Sequence, residues 1–112
     1  MSSVAIKSVD FAAVRRAMDD YARSLLATWP EVEEVIVFGS FENGTYAPGS
    51  DLDVFIVLSR SDQSVRDRIR ALLTGRFPVP LDLFPYTRDE MASLTPSLLL
   101  DAVARSGWRY RR

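Results

Sequence analysis

At 112 residues, with 47% hydrophobic and 26% charged residues, the chain has the make-up of one soluble globular domain with a real core. Fourteen basic against fifteen acidic residues leave a net charge of −1, which argues against broad, charge-driven nucleic-acid binding. Cysteine and histidine are both absent, which excludes disulfides, zinc–thiolate sites, Ser-His-Asp chemistry and histidine metal sites; any catalysis rests on carboxylates, hydroxyls, Lys or Arg, and a metal ion.

The first element is an amphipathic helix. Asp10 reads as its N-cap, Phe11, Val14, Met18, Tyr21 and Leu25 form one apolar face, and Trp29-Pro30 follows its end near Thr28. A strand with continuous β-branched and aromatic content, suited to burial on both faces, is expected from about Glu34 to Phe38. The segment from Phe41 to Ser50 contains Gly44, Pro48 and Gly49 and reads as loop, with room for one helical turn after Ser40. A second strand spans about Leu52 to Leu58. A helix is expected to start near Ser61-Asp62, with Val65, Ile69, Leu72 and Leu73 inward and Gly75 as its C-terminal cap. Its Arg66, Arg68 and Arg70, with Arg76 beyond it, read as a solvated face rather than a nucleic-acid patch. A short third strand covers Leu81 to Pro85, and Thr87-Arg88-Asp89-Glu90 reads as a capping box for the next helix. Thr95-Pro96 reads as the N-cap and N1 of a restart that buries Leu99, Leu100 and Val103. Gly107 ends that helix, leaving Trp108 to Arg112 as a tail or terminal strand.

This order predicts an α+β fold: a small mixed β-sheet with helices packed mainly on one face. No repeat, low-complexity tract or linker divides residues 1–112, which read as a single domain. No apolar run approaches the roughly 20 residues of a membrane span, and the N-terminus lacks a signal-like apolar core, so a cytoplasmic protein is expected.

The chemistry concentrates between Val35 and Leu58. One apolar strand ends in Gly39-Ser40, and Asp51-Leu52-Asp53 opens the next. Residues two apart in a strand share a face, so Asp51 and Asp53 sit side by side. Adjacent carboxylates repel, and a divalent cation is the commonest reason for them to coexist. Gly39-Ser40 offers uncrowded backbone N–H groups and a hydroxyl suited to phosphate oxygens. Together these residues describe a site for a metal-chelated nucleoside triphosphate.

Gly39-Ser40, ten intervening residues and Asp51-Leu52-Asp53 resemble the signature of the DNA polymerase beta-like nucleotidyltransferase superfamily, and the chain's size is most similar to that of its minimal (MNT) members. The resemblance implies a third carboxylate on a later strand, assigned to Asp82 within Leu81-Asp82-Leu83-Phe84. It implies two Mg²⁺ ions held by Asp51, Asp53 and Asp82, with Asp82 completing the ion that activates the acceptor hydroxyl and serving as a candidate proton acceptor. Gly39 and Ser40 would hold the β- and γ-phosphates of ATP or another NTP. The implied reaction is transfer of AMP to a hydroxyl, such as a tyrosine on a helical HEPN toxin partner, which would make this chain an antitoxin. Two other functions remain open: a non-catalytic antitoxin acting by occlusion, and a small-molecule (antibiotic) nucleotidyltransferase. Homo-oligomerisation is also left open.

One departure stands out. Minimal nucleotidyltransferases commonly carry Arg where this chain has Asn43, and Glu42 adds a negative charge beside the triphosphate position. At an effective dielectric of about 20, such a charge costs a few kcal/mol of nucleotide affinity. All three carboxylates remain, and activity is expected. Tyr46, in the intervening loop, reads either as a substrate contact or as an aromatic covering the sheet edge.

Overall fold

The structure is a computed structural model that describes residues 9–94 and 96–112. Helix α1 (Phe11–Thr28) starts where the Asp10 carboxylate accepts a 3.0 Å hydrogen bond from the Ala13 N–H, satisfying one of the amide donors that every helix start leaves open. Strand β1 (Val32–Phe38) leads through Gly39 into a single turn of helix, α2 (Ser40–Asn43). Strand β2 (Leu52–Leu58) is followed by α3 (Val65–Leu72), β3 (Leu81–Thr87), α4 (Arg88–Ser93), α5 (Leu98–Arg105) and β4 (Trp108–Arg111).

Among the described residues the strands form one mixed sheet in the order β3-β2-β1-β4. β1 runs antiparallel to both β2 and β4, whereas β2 and β3 are parallel and α3 lies in the crossover between them. Alternation along the strands divides the side chains into two layers. Val35, Val37, Leu52, Val54, Ile56 and Leu83 join Val14, Met18, Tyr21 and Leu25 of α1 and Leu72 of α3 in the larger core. Ile36, Phe38, Phe55 and Val57 face the other way and meet Val103, Leu99 and Leu100 of α5 and Met91 of α4 in a smaller cluster. The main helical layer thus lies on one face, as expected, and α5 brings a smaller apolar cluster to the other. No described helix is long and apolar enough to cross a membrane.

Several boundaries differ from the sequence expectation for identifiable reasons. β1 begins at Val32, which already pairs with Leu58, and β3 continues to Thr87 for the same reason. Pro85 is tolerated inside β3 because this is an edge strand. Helix α3 starts later than Ser61-Asp62: Ser61 is used in a local turn to the Gln63 N–H, and Ser64 caps the helix by accepting from Asp67. The cap of α5 is Ser97, which accepts from Leu100; the expected cap, Thr95, lies outside the described residues.

Arg68 corrects a larger expectation. It is not part of a solvated face but 4% exposed. Its guanidinium donates to Glu90 in a fork at 2.7 and 2.9 Å and to the Pro85 carbonyl at 3.1 Å. Glu90 also accepts from the Thr87 N–H at 2.8 Å while its own N–H donates to the Thr87 hydroxyl, which completes the expected capping box. Hydrogen bonds from Arg68 and from the Thr87 N–H hold the Glu90 carboxyl at about 2, well below the usual range.

Candidate active site

Three strand ends meet at one edge of the smaller layer: the end of β1 and the starts of β2 and β3. Register brings the acids together there. Asp53 sits opposite Phe38 of β1 on one side and Asp82 of β3 on the other, so Asp53 and Asp82 are direct neighbours across a parallel pair. Asp51 is exposed and lies just before β2 begins. Phe38 and Phe84, packed edge to face with centroids 5.3 Å apart, lie next to the acids on the same face.

Burial raises the Asp53 carboxyl to about 6, and repulsion from Asp82 and then Asp51 adds to the shift. No Lys or Arg among the described residues forms an ion pair with any of the three carboxylates, although arginines pair with Glu33, Glu34 and Glu90 elsewhere. The acids approach without closing, since no three acidic side chains among the described residues form an assembled metal-binding group. An all-oxygen, like-charged donor set with no competing cation fits a hard divalent ion such as Mg²⁺.

Gly39 is there for a reason the sequence did not reveal. Its backbone has φ +80° and ψ −152°, a conformation nearly restricted to glycine. A Cβ at this position would lie 2.3 Å from Asp53 Oδ2. What occupies the space that Gly39 leaves is therefore the Asp53 carboxylate. Ser40 opens α2, and its carbonyl accepts from the N–H groups of Gly44 and Thr45, both at 3.0 Å. Asn43 is used in a turn: its side chain accepts from the Thr45 N–H at 3.0 Å and from the Thr45 hydroxyl at 2.6 Å.

Clefts of about 640 and 500 Å³ open elsewhere, one around Arg60 to Gln63 and the other between α1 and residues 71–77. None of the three carboxylates lines them, so concavity and charge disagree about the site. Charge is the better guide, because a group of acids in which burial and mutual repulsion raise the Asp53 carboxyl is the kind of arrangement that gathers at functional sites, whereas a surface cleft alone points to no chemistry.

Comparison with known proteins identifies the family. Residues 18–100 match the model of the nucleotidyltransferase domain. The chain belongs to that family. Gly39, Ser40, Asp51, Asp53 and Asp82 all fall inside the matched span. Among solved structures, the fold is similar to that of a "putative nucleotidyltransferase" from Sulfolobus solfataricus, with a TM-score of 0.56 and 18% identity over 97% of this chain and 90% of that one. At that identity the likeness establishes a shared fold. No match was found among the curated proteins.

Proposed function

We propose that this nucleotidyltransferase domain moves AMP from ATP to a hydroxyl acceptor in a Mg²⁺-dependent reaction at Asp51, Asp53 and Asp82. The observation that carries the reading is the side-by-side register of Asp53 and Asp82, with Asp53 lodged against Gly39 and no cation among the described residues paired to either acid. Asp51 and Asp53 would hold both of two Mg²⁺ ions and Asp82 one of them. Bound there, the ions supply a polarised acceptor oxygen and neutralise the charge of the leaving pyrophosphate. The chain's own residues do the rest. Asp82, exposed at the start of β3, accepts the proton of the attacking hydroxyl. The new bond joins that oxygen to the α-phosphorus, the bond from the α-phosphorus to the bridging oxygen breaks, and pyrophosphate leaves. Gly39 and Ser40, at the turn out of β1, receive the β- and γ-phosphates.

The acceptor in this proposal is a tyrosine on a HEPN-type helical partner, so that modification silences a toxin; it rests on the resemblance to minimal nucleotidyltransferases. A second reading has its own observation. Asn43 stands where the family commonly has Arg, and its side chain is engaged with Thr45, which favours an antitoxin that acts by occlusion. Transfer of α-labelled ATP with Mg²⁺ in a lysate of the source organism, for wild type beside Asp51→Asn/Asp53→Asn, separates them. A labelled protein formed only by wild type supports transfer. Absence of any label, with inhibition of the partner retained by the double variant, replaces transfer by occlusion.

A further inference from the structure

The ten residues between Ser40 and Asp51 must bring Asp51 back to the sheet beside Gly39, yet they are poorly anchored. From 43 to 49 every residue except Tyr46 is exposed. The hydrogen bonds of this stretch stay within residues 39–50, its N-terminal end being tied to the Gly39 carbonyl by the Glu42 and Asn43 N–H groups. Asn43 closes a turn on Thr45, and Ala47 and Ser50 close another, with the Ala47 N–H donating to Ser50 Oγ at 2.9 Å and the Ser50 N–H to the Ala47 carbonyl at 3.0 Å. Beyond Asp51, the Leu52 N–H donates to the Pro80 carbonyl at 2.9 Å and the sheet takes over.

Tyr46 lies between the two turns. Its ring stacks on Phe41 of α2, with centroids 4.8 Å apart and planes at 4°, and on Phe11 of α1 at 5.4 Å and 28°. Phe41 is 2% exposed and adjoins Ser40, and Phe11 in turn meets Trp108 of β4 at 5.8 Å. A line of four rings therefore runs from β4 through the start of α1 to the element that carries Ser40, and the loop's one inward side chain is a member of it.

We propose that Tyr46 is a positioning residue for the carboxylate site: held between Phe41 and Phe11, it fixes the loop that delivers Asp51 next to Asp53. The inference rests on the reading of Asp51, Asp53 and Asp82 as a divalent-metal site. Asp53 and Asp82 are set by strand register and do not depend on Tyr46; Asp51 precedes β2 and does. None of the loop's hydrogen bonds uses the Tyr46 hydroxyl, so the ring alone performs this task.

The test compares wild type, Tyr46→Phe and Tyr46→Ala by Mn²⁺ titration and by amide hydrogen exchange at Ala47 and Ser50, with thermal stability recorded alongside. Tyr46→Ala is expected to weaken Mn²⁺ binding by roughly tenfold or more, as loss of a supporting residue around a metal site typically does. Exchange at Ala47 and Ser50 should quicken by roughly tenfold as the loop detaches, with exchange in β2 and β3 unchanged. Tyr46→Phe should stay within about twofold of wild type in both, because it retains the ring. Wild-type Mn²⁺ affinity and exchange in Tyr46→Ala, whatever its melting temperature, would overturn the proposal. Wild-type protein that binds no Mn²⁺ defeats the metal-site reading instead, and the exchange comparison then decides separately whether Tyr46 tethers the loop.

Discussion

Strand β3 begins and ends in opposite kinds of chemistry. At its start, Asp82 neighbours Asp53 with Asp51 nearby, three acids without a basic partner among the described residues. At its end, Pro85 and the following Glu90 meet the buried Arg68, and the Glu90 carboxylate accepts from both the guanidinium and the Thr87 N–H. One end satisfies nearly every polar group it buries, although Arg68 Nε has no partner. The other tolerates repulsion that nothing in the fold relieves. The same short sheet carries both, so the acidic end is no symptom of a carelessly built structure. It is a group of unpaired acids in a scaffold that pairs its charges elsewhere, as the proposed ligand site requires.

The sharpest way to break this contrast is to remove the acids. If Asp51 and Asp53 are direct metal ligands as proposed, Asp51→Asn and Asp53→Asn should each lower nucleotidyl transfer by at least about a hundredfold, more than the 10–100-fold that supporting residues cost. Asp53→Asn should also raise the melting temperature at neutral pH, because it removes a charge that is penalised first by burial and then by repulsion from Asp82 and Asp51. An acid there for stability would give the reverse. At the paired end the sign inverts: Arg68→Ala removes the guanidinium fork from Glu90, which keeps only the Thr87 N–H, and the donor from the Pro85 carbonyl, and should cost about 3 kcal/mol. That corresponds to a fall of roughly 15 °C in Tm for a domain of this size. Transfer activity per folded molecule should hardly change, and a large loss measured well below the melting point would mean that the two ends are coupled.

Gly39→Ala addresses the junction directly. Backbone strain at φ +80° costs about 1–3 kcal/mol, and the added methyl group also meets Asp53 Oδ2. In an Asp53→Ala background the second contribution disappears, so Gly39→Ala should destabilise the double variant less than it does wild type. Equal losses in chemical denaturation would show that Gly39 is kept for its backbone alone.

What the sequence disclosed, and what it hid, follows the range of the interactions. The strand Leu52–Leu58 and the capping box at Thr87 were legible because apolar runs and caps are local signals. So was membership of the family, because Gly39-Ser40 followed by Asp51-Leu52-Asp53 in that order along the chain is itself the signal. Arg68 was not: it lies among other arginines on a helix, and its partner is 22 residues away. The partner of Gly39 was hidden for the same reason, since only strand register places Asp53 against it. Ser97 was passed over because Thr95-Pro96 offered an equally good cap signal two residues earlier.

The smallest expected effect is also the most direct comparison of the two ends, because their acids titrate in opposite senses. The Glu90 carboxyl is lowered from 4.5 to about 2 on folding. Its stabilisation is present above 4.5 and is lost as pH falls towards 2, and Glu34, lowered by Arg109 and Arg111, adds in the same direction. Asp53 is raised from 3.8 to about 6. Its contribution is complete below 3.8 and is lost as pH rises through 6, because the folded state then holds a partly buried charge that Asp82 and Asp51 also repel. Both groups are partly exposed, so solvent screens each effect and the shifts in Tm should be a few degrees, roughly. Melting curves of wild type, Asp53→Asn and Glu90→Gln between pH 2 and 8 should show Asp53→Asn flattening only the decline between about 4 and 6, and Glu90→Gln only the rise below it. If the ionised acids hold the ion as proposed, added Mg²⁺ should cancel the upper decline in wild type and leave Asp53→Asn unmoved. If Mg²⁺ raised both proteins equally, Asp53 would have no part in holding the ion.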